Sequence, residues 1–257
     1  MQGAACPRIL VIAGTDSSGG AGLTRDTATA TALGCHVAPV VTAVTVQTSQ
    51  ALSRISAMPV KMVHAQMAAA LEEAPVAAVK IGMLGNAGIA RAIAQGLPRD
   101  IPVVLDPVLK TSSGGLLGTG QSLAPLMEKV TLLTPNLSES AFLSGQPFSE
   151  EPEALRWHAE ILMAAGSTRG PEAILIKGGH ANGEESRDHL FFADAHAVFA
   201  ARRLPQGRRG TGCTLATAIA CYLARGQSME AACALGKRHV TDWLKQGPGV
   251  PAATPDA

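Results

Sequence analysis

Short, nearly unbroken runs of β-branched and aliphatic residues alternate with alanine-rich stretches of helical length. That alternation restricts the fold more than any other feature of the chain. "RILVIAG" reads as a buried strand from Ile9 to Ala13, and "LTRDTATATAL" as a helix ended by Gly34. A strand over "HVAPVVTAVTV" follows, then "VAAVKIG" (strand), "AGIARAIAQG" (helix), "IPVVLD" (strand), "GQSLAPLMEK" (helix) and "VTLLTPN" (strand). "SESAFLSG" and "EPEALRWHAEILMAAG" read as helices and "EAILIKGG" as a further strand. Strands apolar on both faces belong to a sheet covered by helices on both sides, so the expected class is α/β with a mostly parallel central sheet. "DHLFFADAHAVFAARRL" breaks the rhythm and reads as a hairpin at the sheet edge. Two helices close the chain, "TLATAIACYLARG" and "SMEAACALGKRHVTDWLKQG", with Ser228 as N-cap of the second. The proline- and alanine-rich tail after Gly247 reads as frayed. With no repeat, linker or charge block, the expectation is one domain over residues 1–257, its core spanning about 9–245.

Composition removes several classes of function. A net charge of +1 gives no electrostatic case for nucleic acid or an anionic membrane. Aromatic residues are only 3%, too few for stacking platforms along single-stranded nucleic acid. No segment has the ~20 consecutive apolar residues of a membrane helix, and no signal-like leader is evident, so a cytoplasmic protein is expected. The five cysteines are widely spaced without a C-x-x-C pair, which favours free thiols over disulfides or zinc. His64, His158, His180 and His239 lack metal-ligand spacing; His180 follows two glycines and is placed on a nucleotide side, the others on helices or the surface.

In open parallel sheets, ligands bind beyond the carboxyl ends of the strands. The strand-to-helix loops there carry the candidate chemistry. "AGTDSSGGAG" is rich in glycine and small hydroxyls, yet it is neither a Walker A loop nor a dinucleotide fingerprint. "VVLDPV" sets Asp106 at a strand end, where a carboxylate can hold water on Mg²⁺ or cap a turn. "TPNLSE" puts Asn136 and Glu139 three residues apart at a helix start, a spacing equally suited to ordinary capping. "IKGGH" releases Lys177 from a buried strand, with a phosphate as a reasonable partner. "RRGTGCTL" places Gly210, Thr211, Gly212 and Cys213 ahead of a helix, whose free N–H groups and dipole make an anion site. The same field lowers the pKa of a nearby thiol, so a partly ionised Cys213 acting as a base is one reading and a small buried helix-start residue the other.

Taken in order, "IAGTDSSGGAG", Asp26, "VTAVTVQT", "VKIGML", "VVLDPV", "TPNLSE", "IKGGH" and "GTGCTLATAIA" resemble the hydroxymethylpyrimidine and phosphomethylpyrimidine kinases of thiamine biosynthesis, within the ribokinase-like superfamily. The resemblance covers about Ile9 to Val240. It implies a three-layer αβα sandwich that transfers the γ-phosphoryl of ATP, with Mg²⁺, to 4-amino-5-hydroxymethyl-2-methylpyrimidine and to its monophosphate. It also implies roles. Gln47 would bind the pyrimidine, Gly14 and Asp26 would belong to the substrate loop, and Met83 and Val108 would form apolar walls. Gly210, Thr211, Gly212 and Cys213 would form the anion hole, with Cys213 in the place of a catalytic aspartate. Asp106 and Glu139 would be the Mg²⁺-side acids, and Asn136, Lys177 and Lys237 would serve the nucleotide. The family is often dimeric, and Val44 and Val46 could face core or partner.

The chain departs from the family pattern at Arg209, which fills a usual histidine, with Arg208 before it as a second cation; either both are exposed or they add charge at the phosphate. Thr48 replaces an asparagine, and the stretch from Phe192 to Gly210 is short. A pyridoxal or pyridoxine kinase of the same fold is the first alternative, and a non-catalytic pyrimidine or nucleotide sensor the second. A sugar kinase fits less well, because a glutamine in an apolar strand suits a flat heteroaromatic ring.

Overall fold

The computed structural model describes residues 6–109, 123–166, 169–179, 181–193, 195–205 and 207–247. His180 and the tail after Gly247 lie outside them. Eight strands form the main sheet: β1 (Arg8–Ala13), β2 (His36–Val41), β5 (Ala78–Ile81), β6 (Val103–Leu105), β7 (Leu132–Leu133), β8 (Ala173–Ile176), β9 (Glu185–Phe192) and β10 (Ala195–Arg202). Their order is β10-β9-β8-β7-β6-β5-β1-β2. From β2 to β8 every pairing is parallel, and β9 and β10 add an antiparallel hairpin at the edge, as the break in alternation predicts.

Helices α1 (Gly22–Ala32), α6 (Thr211–Ala224) and α7 (Met229–Lys245) cover one face; α2 (Val60–Glu73), α3 (Ala87–Gly96), α4 (Leu137–Ser144) and α5 (Pro152–Met163) cover the other. Alternate strand residues feed the two layers: Ile9 and Val11 pack with Leu215 and Ile219 of α6, while Leu10 and Ile12 pack with Val63 of α2 and Ile89 of α3. The result is the three-layer αβα architecture. α6 is buried continuously from Thr214 to Cys221, which explains its all-round apolar sequence.

Local chemistry sets the ends of these elements. Asn86 caps α3 by accepting from Ile89 N at 3.0 Å, and Ser228 caps α7 through Ala231 N. Gly34 takes φ +64 just past α1, the conformation that lets a chain leave a helix at little cost.

Three expectations change. "HVAPVVTAVTV" is two strands: Thr42 leaves the main sheet, and β3 (Ala43–Gln47) pairs antiparallel with β4 (Leu52–Ala57) in a separate two-stranded ribbon. The apolar run is continuous, so nothing in its composition marks the turn away. β4 is polar and mostly exposed, and α2 buries only Val63 and Met67; both escape a reading by apolar runs. Of "GQSLAPLMEK" the described part is a 3-10 turn over Ala124–Lys129, with a proline in its first turn.

Candidate active site

The loops leaving β1, β5, β6, β7 and β8 meet at the carboxyl edge of the parallel sheet. β1 and β5 lie side by side, and the chain departs from them towards opposite edges, so a crevice opens between their loops. Gly14 and Met83 pack together there; a Cβ on Gly14 would stand 3.0 Å from the Met83 sulfur. The glycine loop is held from inside by Asp16, buried at 4% exposure, which accepts from Ser18 N (2.8 Å), Ser18 Oγ (2.7 Å) and Ala21 N (2.8 Å). Asp16 escapes the sequence reading, although an aspartate two residues before a serine is a usual Asx-turn signal.

Gln47 ends β3 at an irregularity in its register with β4, a device that re-aims a side chain. Its strand alternates, with Ala43 and Thr45 buried and Val44 and Val46 outward, so Gln47 shares the inner face. Ser17 Oγ ties the glycine loop to Gln47 O at 2.8 Å, and Thr45 Oγ1 donates to Thr15 O at 2.8 Å. Arg209 reaches the same point. Its guanidinium donates to Thr48 O (2.7 Å), Ser18 Oγ (2.9 Å) and Gln47 Oε1 (3.2 Å), and lies 3.5 Å from Asp16 Oδ2. The exposed reading of the two arginines does not hold, since Arg209 is tied to the glycine loop and Gln47 and Arg208 stacks on Trp243 at 4.0 Å.

The anion loop sits opposite. α6 begins at Thr211, three residues earlier than its apolar run suggests, so Gly212 and Cys213 lie in its first turn. Gly210 takes φ +81 at the N-cap and supplies no side-chain acceptor, so the first N–H groups are not capped from within. A Cβ at Gly210 would run into the Gly20 carbonyl. Gly212 lies against the ion pair Lys177–Asp106 (2.7 Å); a Cβ there would stand 3.3 Å from Lys177 Nζ and 3.4 Å from Asp106 Oδ2. Backbone donors, a lysine and a carboxylate thus converge at one helix end.

Burial alone would lower the pKa of Lys177, but Asp106 and Glu139 outweigh it and hold the ammonium above its ordinary value. Glu139 is pushed up by desolvation, against the pull of Lys177. Asn136 and Glu139 make a reciprocal capping box on α4, Asn136 Oδ1 accepting from Glu139 N and Glu139 Oε2 from Asn136 N, both at 2.8 Å. The ordinary capping reading of "TPNLSE" therefore holds, with Glu139 also within electrostatic reach of Lys177. Val108 follows Asp106 at the same edge. Lys237 does not point freely into the site. It pairs with Asp188 (2.9 Å) and Ser186 Oγ (2.8 Å), while Asp188 Oδ1 accepts from Gly178 N at 2.9 Å. Lys237 and Asp188 thus brace the turn that presents Lys177.

Asp26 is also displaced from its expected place. It is fully buried on α1, accepting from Lys80 Nζ (2.7 Å) and Thr217 Oγ1 (2.8 Å). Desolvation by itself would lower Lys80; the Asp26 carboxylate, with Cys213 and Asp106 behind it, raises it, so a buried cation stands beneath the anion loop. A lysine inside "AVKI" is the signal that could have found it, because a charge in a buried strand needs a partner.

The surroundings of Cys213 work against the ionised reading. Its thiol is pushed up to about 11, because desolvation outweighs Lys80, Asp26 and Asp106 push the same way, and the Gly22 N–H directed at the sulfur recovers only part.

Comparison with known proteins follows the same lines. Residues 16–254 match the family described as phosphomethylpyrimidine kinase. A hydroxymethylpyrimidine/phosphomethylpyrimidine kinase of Rhizobium meliloti is 37% identical over 90% of this chain and 88% of its own length. The phosphomethylpyrimidine kinase structure from Clostridium difficile superposes with TM-score 0.77 at 30% identity, covering 93% of this chain and 99% of that one. The pyridoxal kinase of Staphylococcus aureus, solved in complex with AMP-PCP and pyridoxal, superposes with TM-score 0.86 at 28% identity, covering 96% and 91%.

Proposed function

This chain belongs to the phosphomethylpyrimidine kinase family, and we propose that it phosphorylates 4-amino-5-hydroxymethyl-2-methylpyrimidine and its monophosphate with ATP, in thiamine biosynthesis. The observation that carries the reading is the convergence of Lys177, Asp106 and the uncapped first turn of α6 beside Cys213, opposite a loop that holds Gln47. Phosphoryl transfer needs alignment and charge neutralisation more than a strong base.

In this reading Gln47 meets the edge of the acceptor ring, while Gly14 and Met83, packed against each other, form one wall against its flat face. Lys177 and the N–H groups of Thr211, Gly212 and Cys213 receive the phosphoryl oxygens. The base is the ionised fraction of Cys213: the thiol first loses its own proton to solvent, and the thiolate, stabilised by Lys80, takes the hydroxymethyl proton as the oxygen bonds to phosphorus and returns to the thiol.

Among the described residues no cluster of three or more histidine, cysteine or acidic side chains could hold a metal alone. Asp106 Oδ1 accepts from Lys177, and among the described residues no hydrogen bond engages its Oδ2. That fits a cation carried mainly by phosphates and water, which Asp106 and Glu139 would hold through water. When bound, Mg²⁺ supplies charge neutralisation on the transferring phosphates.

The described residues include no helix long and apolar enough to cross a membrane. We place the protein in the cytoplasm as a single kinase domain and a homodimer, without nucleic acid or membrane partners. Pyridoxal is a second acceptor, favoured by the closeness of the fold to the Staphylococcus aureus kinase. ATP consumption by purified protein, with Mg²⁺ and each of the hydroxymethylpyrimidine, its monophosphate and pyridoxal, tests the proposal. Turnover with a pyrimidine that disappears in Cys213→Ala supports it; ligand binding without turnover by any acceptor refutes it.

A further inference from the structure

We propose that Arg209 is a specificity-determining residue: it fixes the Gln47 amide with Oε1 turned to the guanidinium and Nε2 towards the acceptor ring, so that the chain meets the ring chiefly with a hydrogen-bond donor and offers its acceptor less freely than an unheld glutamine would. The inference rests on the reading that Gln47 faces the ring.

A guanidinium carries five N–H donors and no acceptor, so only the carbonyl end of an amide can face it. Arg209 stands 3.2 Å from Gln47 Oε1. It cannot easily turn away, because Ser18 Oγ and the Thr48 carbonyl hold its other nitrogen at 2.9 and 2.7 Å and Asp16 lies on the Gln47 side at 3.5 Å. Asp16 is itself fixed by Ser18 and Ala21 and is buried. The Arg209 side chain keeps only 17% exposure, so its bonds are little diluted by water. Rotating the Gln47 amide by half a turn would set two donors against each other in a partly desolvated place, which is costly. Gln47 Nε2, by contrast, makes no hydrogen bond to another described residue and is left to meet a ligand.

The consequence is chemical. A ring nitrogen or an oxygen on the ring edge accepts from Nε2, whereas an exocyclic amine must share an oxygen that is turned to the guanidinium and has one of its two lone pairs engaged. Gln47 therefore distinguishes an aminopyrimidine less sharply from a ring of similar shape that presents only an acceptor. A pyridine bearing a ring-edge oxygen meets the same requirement.

The test is calorimetric binding of two ligands to the full chain: 4-amino-5-hydroxymethyl-2-methylpyrimidine and its 4-deamino analogue. The ratio of their dissociation constants is compared between the wild type and Arg209→Met, which frees the amide while keeping an apolar stem. Intrinsic differences between the ligands cancel in that comparison. The expected result is a ratio about 3–10-fold more in favour of the amino compound in Arg209→Met, the gain of one neutral hydrogen bond. An unchanged ratio, with both ligands bound and phosphorylated by the wild type, overturns the inference and leaves the kinase reading intact. Failure of the wild type to bind either ligand overturns both. Gln47→Glu provides an independent check: it keeps an oxygen for Arg209 and removes the N–H. Both ligands should then weaken by about tenfold or more, and wild-type affinity in that variant also overturns the inference.

Discussion

At the scale of single residues, the chemistry turns on a thiol in an unfavourable place for ionisation. A helix N-terminus and a buried lysine both favour the thiolate of Cys213, and desolvation wins against them. With a thiol pKa pushed up to about 11, the ionised fraction rises tenfold per pH unit through the neutral range and up to that value. If Cys213 is the base, log kcat/KM for the pyrimidine should climb with a slope near one between about pH 7 and 9.5. Cys213→Ala should lose that slope, fall by about 10²–10⁴-fold in kcat, and keep its affinity for the pyrimidine. A flat profile in the wild type over that range would remove Cys213 from the base role. Gln47→Ala should do the reverse, raising KM with little change in kcat. The sequence made Cys213 and Gln47 legible because each sits in a motif of glycines or in an apolar strand where a polar residue stands out. It could not make the sign of the thiol shift legible, because that depends on what surrounds the sulfur in three dimensions. Arg209 was opaque for the same reason: its partners lie more than a hundred and fifty positions away along the chain.

At the scale of elements, the site is an edge where five parallel strands end, and glycines let its loops approach one another. Gly212 and Gly210 do this differently, and substitution should separate them. Gly212 is helical, so alanine there should leave stability unchanged or raise it by up to about 1 kcal/mol. Its methyl would nonetheless crowd Lys177 and Asp106, at 3.3 and 3.4 Å. Gly212→Ala should therefore lower kcat/KM for ATP by about 10–100-fold while the urea midpoint holds or rises. Gly210→Ala meets both a left-handed backbone, φ +81, and the Gly20 carbonyl. That variant should lose about 1–3 kcal/mol in urea unfolding as well as activity. The buried pair beneath the loop is a third case. Lys80→Met strands a carboxylate at 0% exposure and should cost about 3–5 kcal/mol; adding Asp26→Leu should recover most of it. Equal losses in the single and double variants would show that packing, not the pair, is what Lys80 contributes. A buried lysine in a strand is legible as a demand for a partner, but which of twenty acids answers it is not.

At the scale of the whole molecule, the parallel sheet was legible because burial on both faces writes itself as continuous apolar runs, as in β1 and β8. The ribbon of β3 and β4 was not, because half of it is polar and the other half continues an apolar run without a break. That ribbon is also where the molecule looks incomplete. Two strands alone are marginal in water, and β3 turns Val44 and Val46 outward at 47% and 54% exposure. Neither side chain reaches the core, which removes one of the two places the sequence allowed them. A second copy laid against the ribbon would cover both valines and steady the strand that ends in Gln47. If this is the dimer surface, Val44→Asp with Val46→Asp should convert the protein to monomer in sedimentation velocity at micromolar concentration. The far sheet is untouched, so the thermal midpoint should move little. KM for the pyrimidine should rise severalfold, since Gln47 and its tie to Ser17 rest on the same ribbon. A wild-type protein that sediments as a monomer would remove the dimer. A double variant that stays dimeric would move the interface elsewhere and leave the two valines without a covering partner.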